Sequence, residues 1–216
     1  MYRIGFGNDI HRLETDVKLI LGGVEIESDL GAVGHSDADA LLHAVTDAIL
    51  GALALGDIGA HFSDKNERWK NADSLIFLCE TVLLMREKGF AVVNLDSVIN
   101  LETPKLRPYI DQMRENLARA LEVEIECVSV KAKTGELVDA VGKRQAIKTE
   151  AIILLEKKSW LNKKRPTLHT DVFDHFADLF LIDFCAVTSA VLQNRLPGAR
   201  DFAAVESVNF FEFFEA

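Results

Sequence analysis

Cysteine is scarce in this chain. Cys79, Cys127 and Cys185 are three widely separated residues in a sequence of 216. An odd, scattered set speaks against a disulfide framework and against a CxxC metal site, and it predicts buried thiols in a reducing cytoplasm. No apolar run reaches the roughly 18 residues that a membrane span needs, so no membrane partner is expected. Met1-Tyr2-Arg3 leads straight into a strand-like pattern, without the basic segment and long apolar run of a secretory leader, which again predicts a cytoplasmic protein. Positive charge is also in short supply, with 24 Lys and Arg against 34 Asp and Glu and a formal net charge of −10. Such a balance speaks against a nucleic-acid partner, whose phosphates demand a basic patch. It also sets a condition on any anionic ligand: attraction has to come from local lysines, backbone amides or a bound metal, not from the overall field. Internal repeats are absent as well.

What is present alternates between strand and helix. Residues 2–12 and 17–27 read as strands, the second with Gly22-Gly23 at its middle as a tight turn or bulge. Asp37 to Leu55 reads as a long helix, with Ser36 as N-cap, apolar residues at three- and four-residue intervals, and Gly56 closing it. A second helix is expected from Ser74 to Lys88 with Asp73 as cap, stopping at Gly89. Then follow a strand over 90–100, a helix over 106–121, and strands over 125–133 and 144–158. This alternation with short connections predicts an α/β sandwich. Composition changes after Trp160: the remainder holds nine of the chain's thirteen phenylalanines. We therefore expect a domain over 1–158 and a Phe-rich C-terminal extension over 159–216. Within the extension, 171–193 can form a helix with Phe173, Phe176, Phe180 and Phe184 on one side and Asp171, Asp174 and Asp178 on the other. The extension reads either as a partner-binding or trimer-capping element or as a poorly ordered tail. His169, Asp171 and His175 in it are a conceivable second metal group, or plain linker residues.

Five stretches carry polar chemistry. In "RIGFGNDIHRL", Asp9 and His11 are two apart on a strand and so project to one face. In "GHSDADALLHAVTDAI", Asp39, His43 and Asp47 follow an i, i+4, i+8 spacing along one helix face. His43 can supply a third ligand beside Asp9 and His11, with Asp39 and Asp47 orienting its ring; an Asp/His/His set with an open fourth position suits a catalytic zinc site. The same spacing equally suits a solvated polar helix face. The third stretch is "DIGAHFSDKN", Asp57 to Asn66, whose acids and backbone amides can meet a polyhydroxylated ligand or form an ordinary connection. The fourth is "ETPKL", where Pro104 ends a strand and Lys105 offers a cation. The fifth is "VKAKTGE", where Lys131, Lys133, Thr134 and Glu136 can hold a phosphate and an oxygen-loving ion, or simply turn the chain after an edge strand.

In this order the five stretches resemble the 2-C-methyl-D-erythritol 2,4-cyclodiphosphate synthase family of the non-mevalonate isoprenoid pathway. The resemblance covers roughly residues 2–157 and rests on "GxDxHR", "LGGVEI", "GHSDADALLHAVTDAILGALALGDIGAHFSD", "NADS", "TPKL" and "VKAKTGE". It implies a single-domain α/β sandwich with a mixed sheet and helices on one face, assembled as a homotrimer whose active sites lie between subunits. It also implies a phosphorus-oxygen lyase acting on a cytidyl diphosphate substrate, in which the substrate's 2-phosphate attacks its own diphosphate and CMP leaves. The nucleophile belongs to the substrate, so no catalytic triad or cysteine is required.

Matched by position, Asp9, His11 and His43 resemble the family's zinc ligands, and His35 and Thr134 resemble its transition-state stabilisers. His35 and Ser36 match the pair that contacts the substrate's phosphate, and Asp9, Ile10 and His11 fall among the substrate-binding residues. Asp57, Ile58 and Gly59, with Phe62, Ser63, Asp64, Lys65 and Asn66, match the segment that holds the methylerythritol part. Leu101, Glu102, Thr103, Pro104, Lys105, Leu106 and Arg107 match the cytosine stretch. Lys133, Thr134, Gly135 and Glu136 match the diphosphate segment, where Glu136 is associated with Mg2+ or Mn2+. The chain departs from the family at Lys133, where many members carry a hydroxyl, and over Asp139 to Ala146, including Ala140 and Lys143, where many read "GFTGRGEG".

Overall fold

The computed structural model describes residues 1–158. The expected C-terminal helix and the His169, Asp171 and His175 group lie outside them. Strands β1 (Tyr2–Glu14), β4 (Gly31–Val33), β5 (Phe90–Asn100), β6 (Val128–Lys133) and β7 (Ala146–Lys157) form a five-stranded sheet in the order β4-β1-β7-β5-β6. All neighbours are antiparallel except β5 and β6, so the sheet is mixed, as expected. The segment read as one strand over 17–27 is a hairpin of β2 (Leu19–Leu21) and β3 (Val24–Ile26), with Gly22 and Gly23 in its turn, both at positive φ.

Helix α1 (Ala40–Ala52) lies along β1 and β7, α3 (Ser74–Glu87) packs on α1, and α4 (Ile110–Leu121) covers β6. Ten residues of α1 are buried, because it is wedged between the sheet and α3. The short helices α2 (Ile58–His61) and α5 (Asp139–Gly142) and strand β4 were not foreseen; elements of three or four residues are too short to show a period.

The start of α1 is also corrected. Its N-cap is Asp39 rather than Ser36, with the Asp39 side chain accepting from Leu42 N, while residues 35–37 bend ahead of the helix. At the far end the helix stops at Ala52, before Gly56. The Asp73 cap of α3 is as expected, accepting from Leu75 N.

Alternation along β1 separates two functions. Gly5, Gly7 and Leu13 are buried under the helix layer, and Asp9 and His11 share that face, whereas Tyr2, Ile4, Phe6 and Ile10 are exposed on the other. The glycines set how closely α1 approaches. A Cβ built on Gly5 would stand 1.8 Å from Ala48 O, and one on Gly7 would stand 2.0 Å from Ala44 O. The N-terminal end of α1 is tied down separately, where buried Thr149 of β7 donates its hydroxyl to Ala40 O at 2.6 Å. Gly5→Ala should therefore force helix and sheet apart and cost about 3 kcal/mol, a fall of roughly 6–12 °C in Tm by thermal unfolding. An unchanged Tm would mean that this contact does not limit the packing.

Candidate active site

Strand β1 brings Asp9 and His11 to the helix-covered face, and α1 places His43 above them. Asp9 Oδ1 accepts the Ile10 N–H at 2.9 Å, leaving Oδ2 directed at both imidazoles. Oδ2 lies 3.0 Å from His43 Nδ1 and 2.9 Å from His11 Nδ1. The His11 contact is close but misaligned, so His11 Nδ1 is a buried polar atom without a hydrogen bond. Burial opposes charge on Asp9, but the two imidazoles outweigh it and hold the carboxyl below its usual range. For His43, burial disfavours the imidazolium and the facing Asp9 carboxylate more than compensates, so its pKa is raised.

The three ligand atoms lie within 4.8 Å of one another, the one such group of three among the described residues. A carboxylate oxygen and two imidazole nitrogens, one of them buried without a partner, form a donor set that fits a divalent transition metal.

The carboxylates expected to orient His43 have other partners. Asp39 is fully buried and accepts Leu42 N at 3.0 Å and Gly23 N at 2.7 Å, so it joins the start of α1 to the β2–β3 turn. Burial and the neighbouring Asp37 push its pKa up to about 7, against the pull of those N–H groups. Asp47 accepts Ile58 N at 2.7 Å and holds α2 against α1. His43 Nε2 instead meets Ser74 Oγ at 2.8 Å and Ser36 Oγ at 3.1 Å. Sequence reasoning missed Ser74 and Asp37 in this role. Ser74 stood beside the helix cap of "NADS" and Asp37 stood inside "GHSDAD", but nothing local connects them.

The loop after α1 reaches the same region. Asp57 caps α2 through Ala60 N at 2.9 Å, and Asn66 O lies 3.4 Å from His35 Nε2. Phe62 is half-buried, stacked on Phe77 at 4.8 Å and edge-on to Trp69 at 5.4 Å. Ser63, Asp64, Lys65 and Asn66 stay at the surface or half-buried beside it.

The 101–107 and 133–136 stretches also come together. Leu101 N donates to Lys133 O at 2.9 Å, Gly135 N donates to Glu102 Oε2 at 2.9 Å, and the Thr134 hydroxyl donates to Glu136 Oε1 at 2.6 Å. A cavity of about 490 Å³ lies between them, walled by Leu101, Leu106 and Ile110 and rimmed by Lys105, Arg107 and Lys133. The Thr103–Pro104 peptide beside it is cis. Strand register fixes where this cavity stands. Asp9 pairs with Thr149, Thr149 with Ile99, and Ile99 with Ala132, which lines the cavity. Cavity and Asp-His-His group thus share one end of the sheet, three strand spacings or about 14 Å apart.

Fold and site define an α/β domain with an Asp-His-His group able to hold a metal ion and a separate cation-rimmed cavity. Residues 2–156 match the YgbB family model, and the chain belongs to that family. The 2-C-methyl-D-erythritol 2,4-cyclodiphosphate synthase of Fusobacterium nucleatum subsp. nucleatum is 52% identical over 158 residues, covering 73% of this chain and 99% of the relative. The enzyme of that name from Brachyspira hyodysenteriae is also 52% identical, over 72% of this chain and 98% of its own. A solved synthase of that name, with CDP bound, superposes with a TM-score of 0.67 at 38% identity, covering 71% of this chain and all of that one. The bifunctional IspDF of Campylobacter jejuni gives a TM-score of 0.72 at 34% identity, and the match spans 74% of this chain and 44% of that longer one.

The carboxylate assignments have a direct consequence. Asp39→Ala removes a helix cap and orphans the Gly23 N–H, and should cost about 2–3 kcal/mol in urea unfolding. Asp47→Ala frees one half-buried N–H and should cost only about 1 kcal/mol.

Proposed function

We propose that this chain converts 4-diphosphocytidyl-2-C-methyl-D-erythritol 2-phosphate to 2-C-methyl-D-erythritol 2,4-cyclodiphosphate and CMP. The observation that carries this reading is the convergence of Asp9, His11 and His43 at the sheet end that also bears the Lys105, Arg107 and Lys133 rim. An oxygen of the substrate's 2-phosphate attacks the β-phosphorus, the bond from that phosphorus to the bridging oxygen breaks, and CMP departs with the electron pair. Both reacting groups belong to the substrate, so the protein's contribution is positioning and charge neutralisation.

Zn2+ held by Asp9, His11 and His43, with Mg2+ or Mn2+ among the phosphates near Glu136, supplies Lewis-acid polarisation of phosphate oxygens when bound. His35 and Ser36, on the bend before α1, hold the transferring phosphate by hydrogen bonds. Asp57, Ile58 and Gly59 and the surface of 62–66 receive the methylerythritol part. The 101–107 stretch receives cytosine, with backbone groups around Pro104, Lys105 and Leu106. Lys133 brings a charge where many family members bring a hydroxyl, and Thr134 turns its hydroxyl from Glu136 toward the diphosphate.

We further assign a homotrimer, with the Asp-His-His half of each site facing the cytosine half of a neighbouring subunit, in the cytoplasm. Two features support it: the separation of the halves across β7 and β5, and the apolar outer face of Ile4, Phe6, Ile10 and Ile152, each at least half exposed.

Incubation of the full chain with the cytidyl substrate, Zn2+ and Mg2+ should release CMP and the cyclic diphosphate in equal amounts. Linear hydrolysis products would instead indicate a phosphohydrolase that activates water. His43→Ala should lower turnover by at least about 10²-fold, and Thr134→Ala by about 10²–10³-fold. Chelation should abolish turnover, and Zn2+ with Mg2+ should restore it. Phe6→Asp should shift the sedimenting species from trimer to monomer in analytical ultracentrifugation. A wild-type monomer would overturn the shared-site arrangement.

A further inference from the structure

We propose that Ser74 and Asp37 are positioning residues that fix which nitrogen of His43 presents its lone pair to the metal group; the inference rests on reading Asp9, His11 and His43 as ligands. Ser74 opens α3, is fully buried, and places Oγ 2.8 Å from His43 Nε2. Its hydroxyl donates to Asp37 Oδ1 in a short hydrogen bond. The Asp37 carboxylate is itself fixed by backbone donors, accepting Ser74 N at 3.1 Å on Oδ2 and Asp39 N at 3.2 Å on Oδ1.

The direction of the chain follows from counting protons. A serine hydroxyl has one, and a carboxylate only accepts. With that proton given to Asp37, Ser74 Oγ meets the imidazole as an acceptor, so the hydrogen of neutral His43 sits on Nε2. Ser36 Oγ lies 3.1 Å from the same nitrogen and 3.3 Å from Ser74 Oγ while accepting Ala38 N at 3.3 Å; with its hydroxyl hydrogen directed to the phosphate or to Ser74 Oγ, it too meets Nε2 as an acceptor. The lone pair is then on Nδ1, which points at Asp9 Oδ2 and shares that oxygen with His11 Nδ1. That nitrogen and the Asp9 carboxylate share a proton when no cation stands between them, and a bound cation takes that proton's place. The reverse tautomer would put a hydrogen on Nδ1, in the space a metal needs. Partners behind a ligating imidazole set its tautomer and basicity in this way.

Two substitutions separate this role from simple support. Ser74→Ala removes the acceptor and leaves the tautomer unfixed. Asp37→Asn is nearly isosteric but sets its NH2 group either against Ser74 N–H or against Asp39 N–H and Ser74 Oγ; the first loses a backbone acceptor, and the second turns the Ser74 hydroxyl proton toward His43 Nε2 and drives the ring to the wrong tautomer. A purely structural role would lower folding stability and leave the Zn2+ affinity of the folded protein unchanged; the relay lowers that affinity in both variants.

The test measures Zn2+ affinity of the full chain by chelator competition after metal removal, together with long-range proton–nitrogen spectra of the zinc-loaded protein. We expect Ser74→Ala to weaken Zn2+ by about 10–100-fold and Asp37→Asn to weaken it as well. In wild type the His43 hydrogen should lie on Nε2 and exchange slowly with water. A wild-type hydrogen on Nδ1 overturns the relay without any variant, even where the variants fail to fold. Wild-type Zn2+ affinity in both variants overturns the relay alone, whereas a wild type with no Zn2+ affinity overturns the metal reading and the relay together.

Discussion

Helix α1 approaches β1 so closely that two strand positions beneath it have no room for a side chain, and this contact sets the geometry of the whole site. Gly5 meets the backbone at Ala48 and Gly7 meets it at Ala44, so the helix descends toward the C-terminal end of the strand as its own numbering falls. Continuing that descent brings His43 level with the next residues on the same strand face, Asp9 and His11. The strand face changes from packing to chemistry where the glycines stop. The Thr149 hydroxyl fixes the helix start by bonding the Ala40 carbonyl, so the His43 ring is held from both the sheet and the helix axis.

Charge is organised locally against an unfavourable total. A net charge of −10 would repel a phosphorylated substrate at long range, yet ionic screening confines that field to about 8–10 Å. Within that distance of the cavity stand the cations of its rim, Lys105, Arg107 and Lys133; Lys131, also lining it, is paired with Asp96. The acids near His43 are likewise engaged. Asp37 and Asp39 accept backbone or hydroxyl hydrogens, and Asp9 faces two imidazoles, so the group can concentrate negative charge without leaving it unanswered.

The sequence made the site's skeleton legible because that part depends on local periodicity. Two-residue spacing puts Asp9 and His11 on one strand face, and a long 3.6-residue pattern puts His43 on α1. The partners of Asp39 and His43 were not legible for a different reason. Asp39 reaches back to Gly23 across a hairpin, and His43 reaches forward to Ser74 on another helix, distances in sequence that only packing closes. The i, i+4, i+8 spacing of Asp39, His43 and Asp47 was real but misleading. At the end of a helix a carboxylate is drawn to the unpaired N–H groups of the first turn, a nearer demand than a neighbouring ring. Ser36 lost the cap position for the same reason: the bend at 35–37 places Asp39, not Ser36, beside those N–H groups.

Strand register adds a constraint that neither motif contains alone. Asp9, Thr149, Ile99 and Ala132 form one row across four strands, so the Asp-His-His group and the cavity lie at the same level although one belongs to the first strand and the other to the penultimate. With β7 and β5 between them, shifting either strand by one residue would turn Thr149 or Ile99 out of the core and move the group relative to the cavity. The buried face of the sheet therefore enforces the alignment, and the hydrophobic core fixes the distance from the Asp-His-His group to the cavity within one chain. The opposite face has no helix to satisfy among the described residues, so Ile4, Phe6 and Ile10 stand exposed and have no part in that spacing.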